Sequence, residues 1–285
     1  PYLTRVLGPE KYGLTMFAAA FINYFKVLTD YGFNLSATKE ISIHREDKTK
    51  MNAIFNSVMV IKLILGVLSF IILFSTIVLI GKFNLYFSLY IITFGTVIGD
   101  SLFPVWFFQG IEKMGYITYF NIISKTFATI LIFVTIRRPE DYLNLAILNS
   151  ACSIVIGLVT FFYVVNKFKF VIKMPSTKEI KIQLIEGWYV FISSISIVLY
   201  TTSTTFILGI FTSNTIVGYY AAADKIRLAI QGLFAPVFQS IYPYLNKIAQ
   251  KSKDKALRII KIELKYLGSL GLIEIGRASC RERVS

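Results

Sequence analysis

The sequence predicts an all-α fold, a polytopic bundle of transmembrane helices, and three observations carry that prediction. Only 16% of the 285 residues are charged while 55% are hydrophobic, with a mean hydropathy of +0.64. Soluble domains average roughly 25% charged residues, so lipid is the solvent that suits this composition. Five stretches contain no Asp, Glu, Lys, Arg or His: Leu63–Gly81, Phe83–Gly99, Tyr142–Asn166, Gly187–Ala223 and Leu228–Asn246. Their lengths approach or exceed the ~20 residues with which a helix crosses a bilayer. Finally, Lys and Arg number 30 against 16 Asp and Glu, a net charge of +14. In so apolar a chain this excess fits basic loops on one side of a membrane. It does not fit the exposed basic stripe of a nucleic-acid binder. A transmembrane β-barrel would instead need alternating segments of about ten residues.

In chain order the predicted spans begin with 14–34, which holds Lys26 and Asp30. The second and third, 57–80 and 86–109, are built on the first two uncharged runs. The fourth, 117–136, has Lys125 at its centre with eleven uncharged residues on each side. The fifth, 143–165, contains Cys152, read as a small inert hydrophobe. The run Gly187–Ala223 is too long for one helix, and Thr212, Ser213, Asn214 and Thr215 offer a polar turn inside it. It therefore divides into spans 189–211 and 216–245, the latter expected to kink near Pro236 or end before Pro243.

Loop charge orients these seven spans. Segments 35–56, 110–116, 166–188 and 246–265 carry 17 Lys or Arg, and the alternate segments 1–13, 81–85, 137–142 and 213–215 carry 5. The richer set is predicted to be cytoplasmic. Pro1 then falls outside, and a further helix is expected upstream of it. At the other end, the apolar stretch from Leu267 is only about seven residues, too short for a span. Glu274–Ser285 has neither hydrophobic period nor turn signals and resembles the translation of a sequencing adapter, so it is left out of the fold reading. Without it the net charge is +13 and Cys152 is the sole cysteine, which excludes an internal disulfide or a Cys-based metal site.

Catalytic chemistry is not expected. The single histidine, His44, sits in a basic loop with no second His or nearby Cys, so neither a metal site nor His-based acid–base chemistry has support. No G-x-x-x-x-G-K-[ST] loop or dinucleotide fingerprint occurs. No cofactor is predicted.

What stands out is the set of ionisable residues at membrane depth: Lys26, Asp30, Lys62, Asp100, Lys125, Asp224, Lys225 and Arg227. Each costs on the order of 2.5–3.5 kcal/mol at a helix centre, so each should face protein or water. Lys26 and Asp30, four residues apart, are expected to neutralise each other along one helical face shared with Asn23 and Asn34. Lys62 lies close enough to the cytoplasmic end to snorkel. Structural ion pairs that fix helix packing would account for the set. So would a hydrated cavity with five cations against three acids, suited to a phosphate or pyrophosphate head group. The hydroxyls of Thr201–Thr205 are expected mainly to bond their own helix backbone.

Several strings, taken together and in order, resemble one family. They are PYLTRVLGPEKYG (Pro1–Gly13), DYGFNLSATKEIS (Asp30–Ser42), FPVWFFQGIEKM (Phe103–Met114), EGWYVFISSISIVLYTTSTTFILG (Glu186–Gly209), VGYYAAADKI (Val217–Ile226) and YPYL (Tyr242–Leu245). They resemble the oligosaccharide flippases of bacterial polysaccharide biosynthesis, the O-antigen transporter type of the multidrug/oligosaccharidyl-lipid/polysaccharide exporter superfamily. The resemblance implies about twelve helices in two six-helix lobes around a central cavity. On that template residues 1–188 are an N-terminal lobe lacking its first helix, and residues 189–273 are the start of the C-terminal lobe. It implies a non-enzymatic carrier in the bacterial cytoplasmic (inner) membrane. The carrier moves a polyprenyl-pyrophosphate-linked oligosaccharide to the outer leaflet by alternating access, for O-antigen, capsule or exopolysaccharide assembly. Polysaccharide polymerase and glycosyltransferases are the implied partners. Lys26, Asp30, Asp100, Lys125, Lys225 and Arg227 are the candidate transport residues, Asp30 or Asp100 carrying a coupling proton or cation. Two rivals are a multidrug exporter of the same superfamily, which would favour acidic cavity residues, and a membrane-embedded polymerase, which would need large outer loops.

Overall fold

A computed structural model describes residues 2–229, and among them every regular element is helical. The later part of the seventh predicted span, with Pro236 and Pro243, lies outside the described residues. So do the stretch from Leu267 and the Glu274–Ser285 tail. The described chain falls into two units, the first ending at Ala222 and the second starting at Ala223.

The first unit opens with a short helix α1 (Tyr2–Val6) and the long α2 (Gly8–Asp30), which has Pro9 in its first turn. This helix ends at Tyr31 and Gly32, both at positive φ, 48° and 76°. Glycine is required at 32 for a second reason, since a Cβ there would press on Val190 and Phe191 of a later helix. The turn lets α3 (Phe33–Ile43) leave in a new direction. Much of the stretch expected as the loop 35–56 is therefore helical, because α4 (Lys48–Leu79) also starts early. Asp47 caps it by accepting from the backbone N–H of Thr49 and Lys50 at 3.0 and 3.1 Å.

The short α5 (Gly81–Asn84) leads into α6 (Phe87–Leu102) and α7 (Val105–Gly110). The predicted helix 86–109 is thus broken in two at Pro104, with Phe103 extended at φ −80° and ψ 105°, as the residue before proline prefers. Next come α8 (Met114–Thr135), α9 (Tyr142–Phe168) and α10 (Thr177–Phe211), then helical residues 214–229. Helix α10 begins well before residue 189, because Ser176 and Glu179 form a reciprocal capping box. It runs through the expected lobe boundary at 188. Its C-terminal end is closed by Lys82, whose Nζ donates to the carbonyls of Gly209 and Ile210 at 2.7 Å each.

Five described helical stretches are long and apolar enough to cross a membrane: Lys48–Leu79, Phe87–Gly110, Met114–Thr135, Pro139–Phe168 and Thr177–Phe211. Their outward faces carry large apolar side chains, such as Leu63, Leu79, Phe127 and Phe162. Apolar side chains gain little by leaving lipid for protein, so small residues and shape drive helix contact in such a bundle. The most extensively packed pair is α6 with α9. Gly95 and Gly99 in α6 face Ser150, Ser153 and Gly157 in α9, and a Cβ on Gly99 or Gly157 would collide with the opposite backbone. Aromatic rings fill the remaining interior. Phe17 and Phe21 of α2 stack on Phe206 of α10 at 5.7 and 5.5 Å. Phe55, Trp106, Phe107 and Phe108 form a second core between α4 and α7.

Gly99→Leu is expected to destabilise the purified protein by about 3 kcal/mol or more through overpacking, whereas Gly115→Leu, in open space at the start of α8, should leave its thermal unfolding in detergent unchanged.

Candidate functional site

The bends after α2 and α6 bring ionisable residues from three helices around one cavity of about 560 Å³ within the first unit. Asn23, Lys26 and Asp30 of α2 line it, together with Lys62 of α4 and Asp100 of α6. Asn34, Asn121 and Ser194 add polar groups from α3, α8 and α10. The volume lies in the ordinary range for small-molecule sites, about 300–1,000 Å³.

Each charge is matched across helices. Lys26 Nζ lies 2.8 Å from Asp100 Oδ2, and Lys62 Nζ lies 2.9 Å from Asp30 Oδ1. Both carboxylates have a second partner: Asn34 donates to Asp30 Oδ2 at 2.9 Å, and Ser153 donates to Asp100 Oδ1 at 2.9 Å. The two pairs differ in wetness. Lys62 is 3% exposed and Asp30 27%, while Lys26 is 30% and Asp100 52% exposed. The first, with its ammonium buried, ties α2 to α4. The second is more exposed to the cavity, where water weakens the attraction and makes exchange of partners easier.

This geometry corrects two expectations. Lys26 does not neutralise Asp30 along its own helix, because each reaches a better-placed partner on a neighbour. Lys62 does not snorkel but is buried in the bundle. Among the described residues of the first unit, two lysines and two aspartates line the cavity, and their formal charges cancel. Lys125 is exposed on α8, one turn beyond Asn121 on the same stripe, and does not line the cavity. Lys225 and Arg227 belong to the second unit, where Arg227 pairs with Asp224 at 2.7 Å.

The threonine-rich stretch of α10 divides its hydroxyls between two roles. Thr201 bonds the carbonyl of Ile197 at 2.9 Å, as expected for backbone satisfaction. Thr202 accepts from Asn23 Nδ2 at 3.3 Å, and Ser203 bonds the Tyr24 hydroxyl at 3.2 Å, joining α10 to α2. Asn121 and Ser194 were not singled out in the sequence, since a lone amide or hydroxyl in an apolar run carries no signal until a helix aims it.

Beside the polar cavity lies an apolar recess of about 680 Å³ between α4, α6 and α9. Phe55, Met59, Val67, Phe70 and Leu102 are among its walls, and Lys62, Val97 and Ser101 line both spaces. A polar chamber and a hydrocarbon-lined recess therefore meet at shared residues. Among the described residues no group of three His, Cys, Asp or Glu is placed to hold a metal ion.

Comparison with known proteins gives a consistent result. Residues 1–249 match the family model described as polysaccharide biosynthesis protein. A protein of Escherichia coli (strain K12) named "Putative O-antigen transporter" is 33% identical over 271 residues, 95% of this chain and 65% of that relative. A protein of Shigella dysenteriae with the same name is 28% identical over 280 residues, 97% of this chain and 70% of that relative. The chain thus spans about two thirds of the length of these relatives. No solved structure matches it.

Asp30→Asn leaves the Lys62 ammonium buried without a counter-charge and should cost on the order of 3 kcal/mol of stability; Asp100→Asn, at the wet pair, should lower the melting temperature measurably less.

Proposed function

The chain belongs to the polysaccharide biosynthesis protein family, and on that premise we propose that it acts in a multi-pass membrane transporter. Its cargo on this reading is a polyprenyl-pyrophosphate-linked oligosaccharide. The cargo moves from the inner to the outer leaflet of the bacterial cytoplasmic membrane during O-antigen or related surface-polysaccharide assembly. The observation that carries the reading is the polar cavity at Lys26, Asp30, Lys62 and Asp100 inside an otherwise apolar bundle, with the apolar recess beside it. A lipid-linked sugar is amphiphilic in the same sense. Its hydroxyls need both donors and acceptors, which an amide- and ion-lined chamber offers, and its hydrocarbon chain needs an apolar path. No bond is made or broken in such a step, so the protein serves as a carrier. The names of the two relatives favour this cargo over the small cations of a multidrug exporter.

In this mechanism a pyrophosphate competes for Lys26 with Asp100. Because Asp100 is half exposed, a proton or cation arriving there neutralises it and frees the Lys26 ammonium for the phosphate. The membrane potential supplies about 2.3 kcal/mol per charge per 100 mV to drive such an exchange. The more buried pair, Lys62–Asp30, holds α2 and α4 together meanwhile. Lys125, Lys225 and Arg227 remain candidates for contacts made elsewhere along the cargo's path. Glycosyltransferases and a polymerase are the partners this role requires.

The test uses a full-length gene in a strain lacking its own flippase, with surface polysaccharide and protein level both measured. Lys26→Met and Asp100→Asn should each cut polysaccharide by about tenfold or more at normal protein level, the equivalent of one charge-assisted hydrogen bond of about 1.5 kcal/mol. Lys125→Ala should cut it less. Full complementation by Lys26→Met would overturn the cavity's role in transport.

A further inference from the structure

Away from the cavity, a second set of polar groups converges where α8 begins and α9 ends. Lys167 Nζ donates to the phenol oxygens of Tyr116 and Tyr163 at 2.6 Å each. Its ammonium lies 4.7 and 5.0 Å from their ring centroids, held at the hydroxyl edge of both rings. Lys167 is exposed and the two tyrosines are half-buried. The lysine spends two of its three N–H donors here. The phenols accept in these bonds, which leaves O–H donation for a further acceptor.

The surroundings reinforce the positive sign. Lys113, at the N-cap of α8, is close enough to act electrostatically on Tyr116. Helix α8 starts without a side-chain cap, and the positive end of its dipole lies in the turn that holds Tyr116. The neighbouring acid, Glu112, is engaged by Arg45 at 3.1 Å. Pinned donors with little opposing charge recognise an anion, and a phosphate oxygen fits donors of this kind.

The face of α8 running away from this corner is apolar and outward. Tyr119, Ile122, Phe127 and Ile130 are 61%, 60%, 59% and 56% exposed. A free phosphate would use only the corner, whereas a molecule with a phosphate and hydrocarbon chains would use both features. The corner also lies on the side of the basic loops, where anionic lipid head groups are attracted. We propose that Tyr116, Tyr163 and Lys167 bind the phosphate of an anionic membrane phospholipid whose acyl chains lie along α8, a site separate from the transport cavity.

The experiment measures the melting temperature of the full chain in non-ionic detergent with phosphatidylglycerol, phosphatidylcholine or inorganic phosphate added. Phosphatidylglycerol should raise it most, and inorganic phosphate should leave it unchanged. Lys167→Met and the double variant Tyr116→Phe with Tyr163→Phe should each lose more than half of that rise, while Lys178→Met keeps it. The tyrosine variant preserves ring packing, so it reports even if Lys167→Met folds poorly. An equal rise with phosphatidylcholine or phosphate, a full rise in the cluster variants, or an equal loss in Lys178→Met would overturn the proposal.

Discussion

An ionised side chain in hydrocarbon must find a partner or water, and the rest of this bundle is arranged around that requirement. Insertion scales put the cost at about 2.5–3.5 kcal/mol per charge at a helix centre. Asp30 meets it with both carboxylate oxygens bonded, one to Lys62 and one to Asn34. Asp100 meets it through Lys26 and Ser153. Both ion pairs link α2 to another helix, so satisfying the charges also sets which helices are neighbours.

That constraint interacts with packing. Close approach of α6 and α9 over Gly99, Ser153 and Gly157 puts Ser153 within reach of Asp100. The break at Tyr31 and Gly32 turns the chain immediately after Asp30, so the start of α3 brings Asn34 back over the same carboxylate. The Pro104 break likewise ends α6 shortly after Asp100 and sends Trp106 and Phe107 into a separate aromatic core. Charge satisfaction, glycine contacts and helix breaks are one solution, which is why a polar chamber survives in so apolar a molecule.

Composition, uncharged runs and loop charge made the membrane class legible, and the centres of most predicted spans fall inside helices. Helix ends were harder to read. The α4 cap at Asp47 and the α10 capping box at Ser176 and Glu179 lie in polar stretches that a hydropathy reading assigns to loops. The GTVIG string of Gly95–Gly99 carries the spacing of close helix contact, yet its partner surface on α9 uses two serines and a glycine and has no such marked pattern. Among the candidate site residues, Lys26, Asp30 and Asp100 stand at the cavity, while Lys125 does not line it.

The sequence by itself determined that these helices lie in lipid and which residues at membrane depth needed an explanation, because hydrophobicity and charge are properties of residues. Only the tertiary structure decided who answers whom. Lys26 and Asp30 share a helical face at the spacing that invites pairing, yet each ties to a different helix, because an ammonium and a carboxylate pair where distance, desolvation and further hydrogen bonds are jointly best. That choice depends on where α4 and α6 stand. The balance of two lysines against two aspartates among the described lining residues is likewise set by which charges the bundle brings together, and is invisible in the count of charges along the chain.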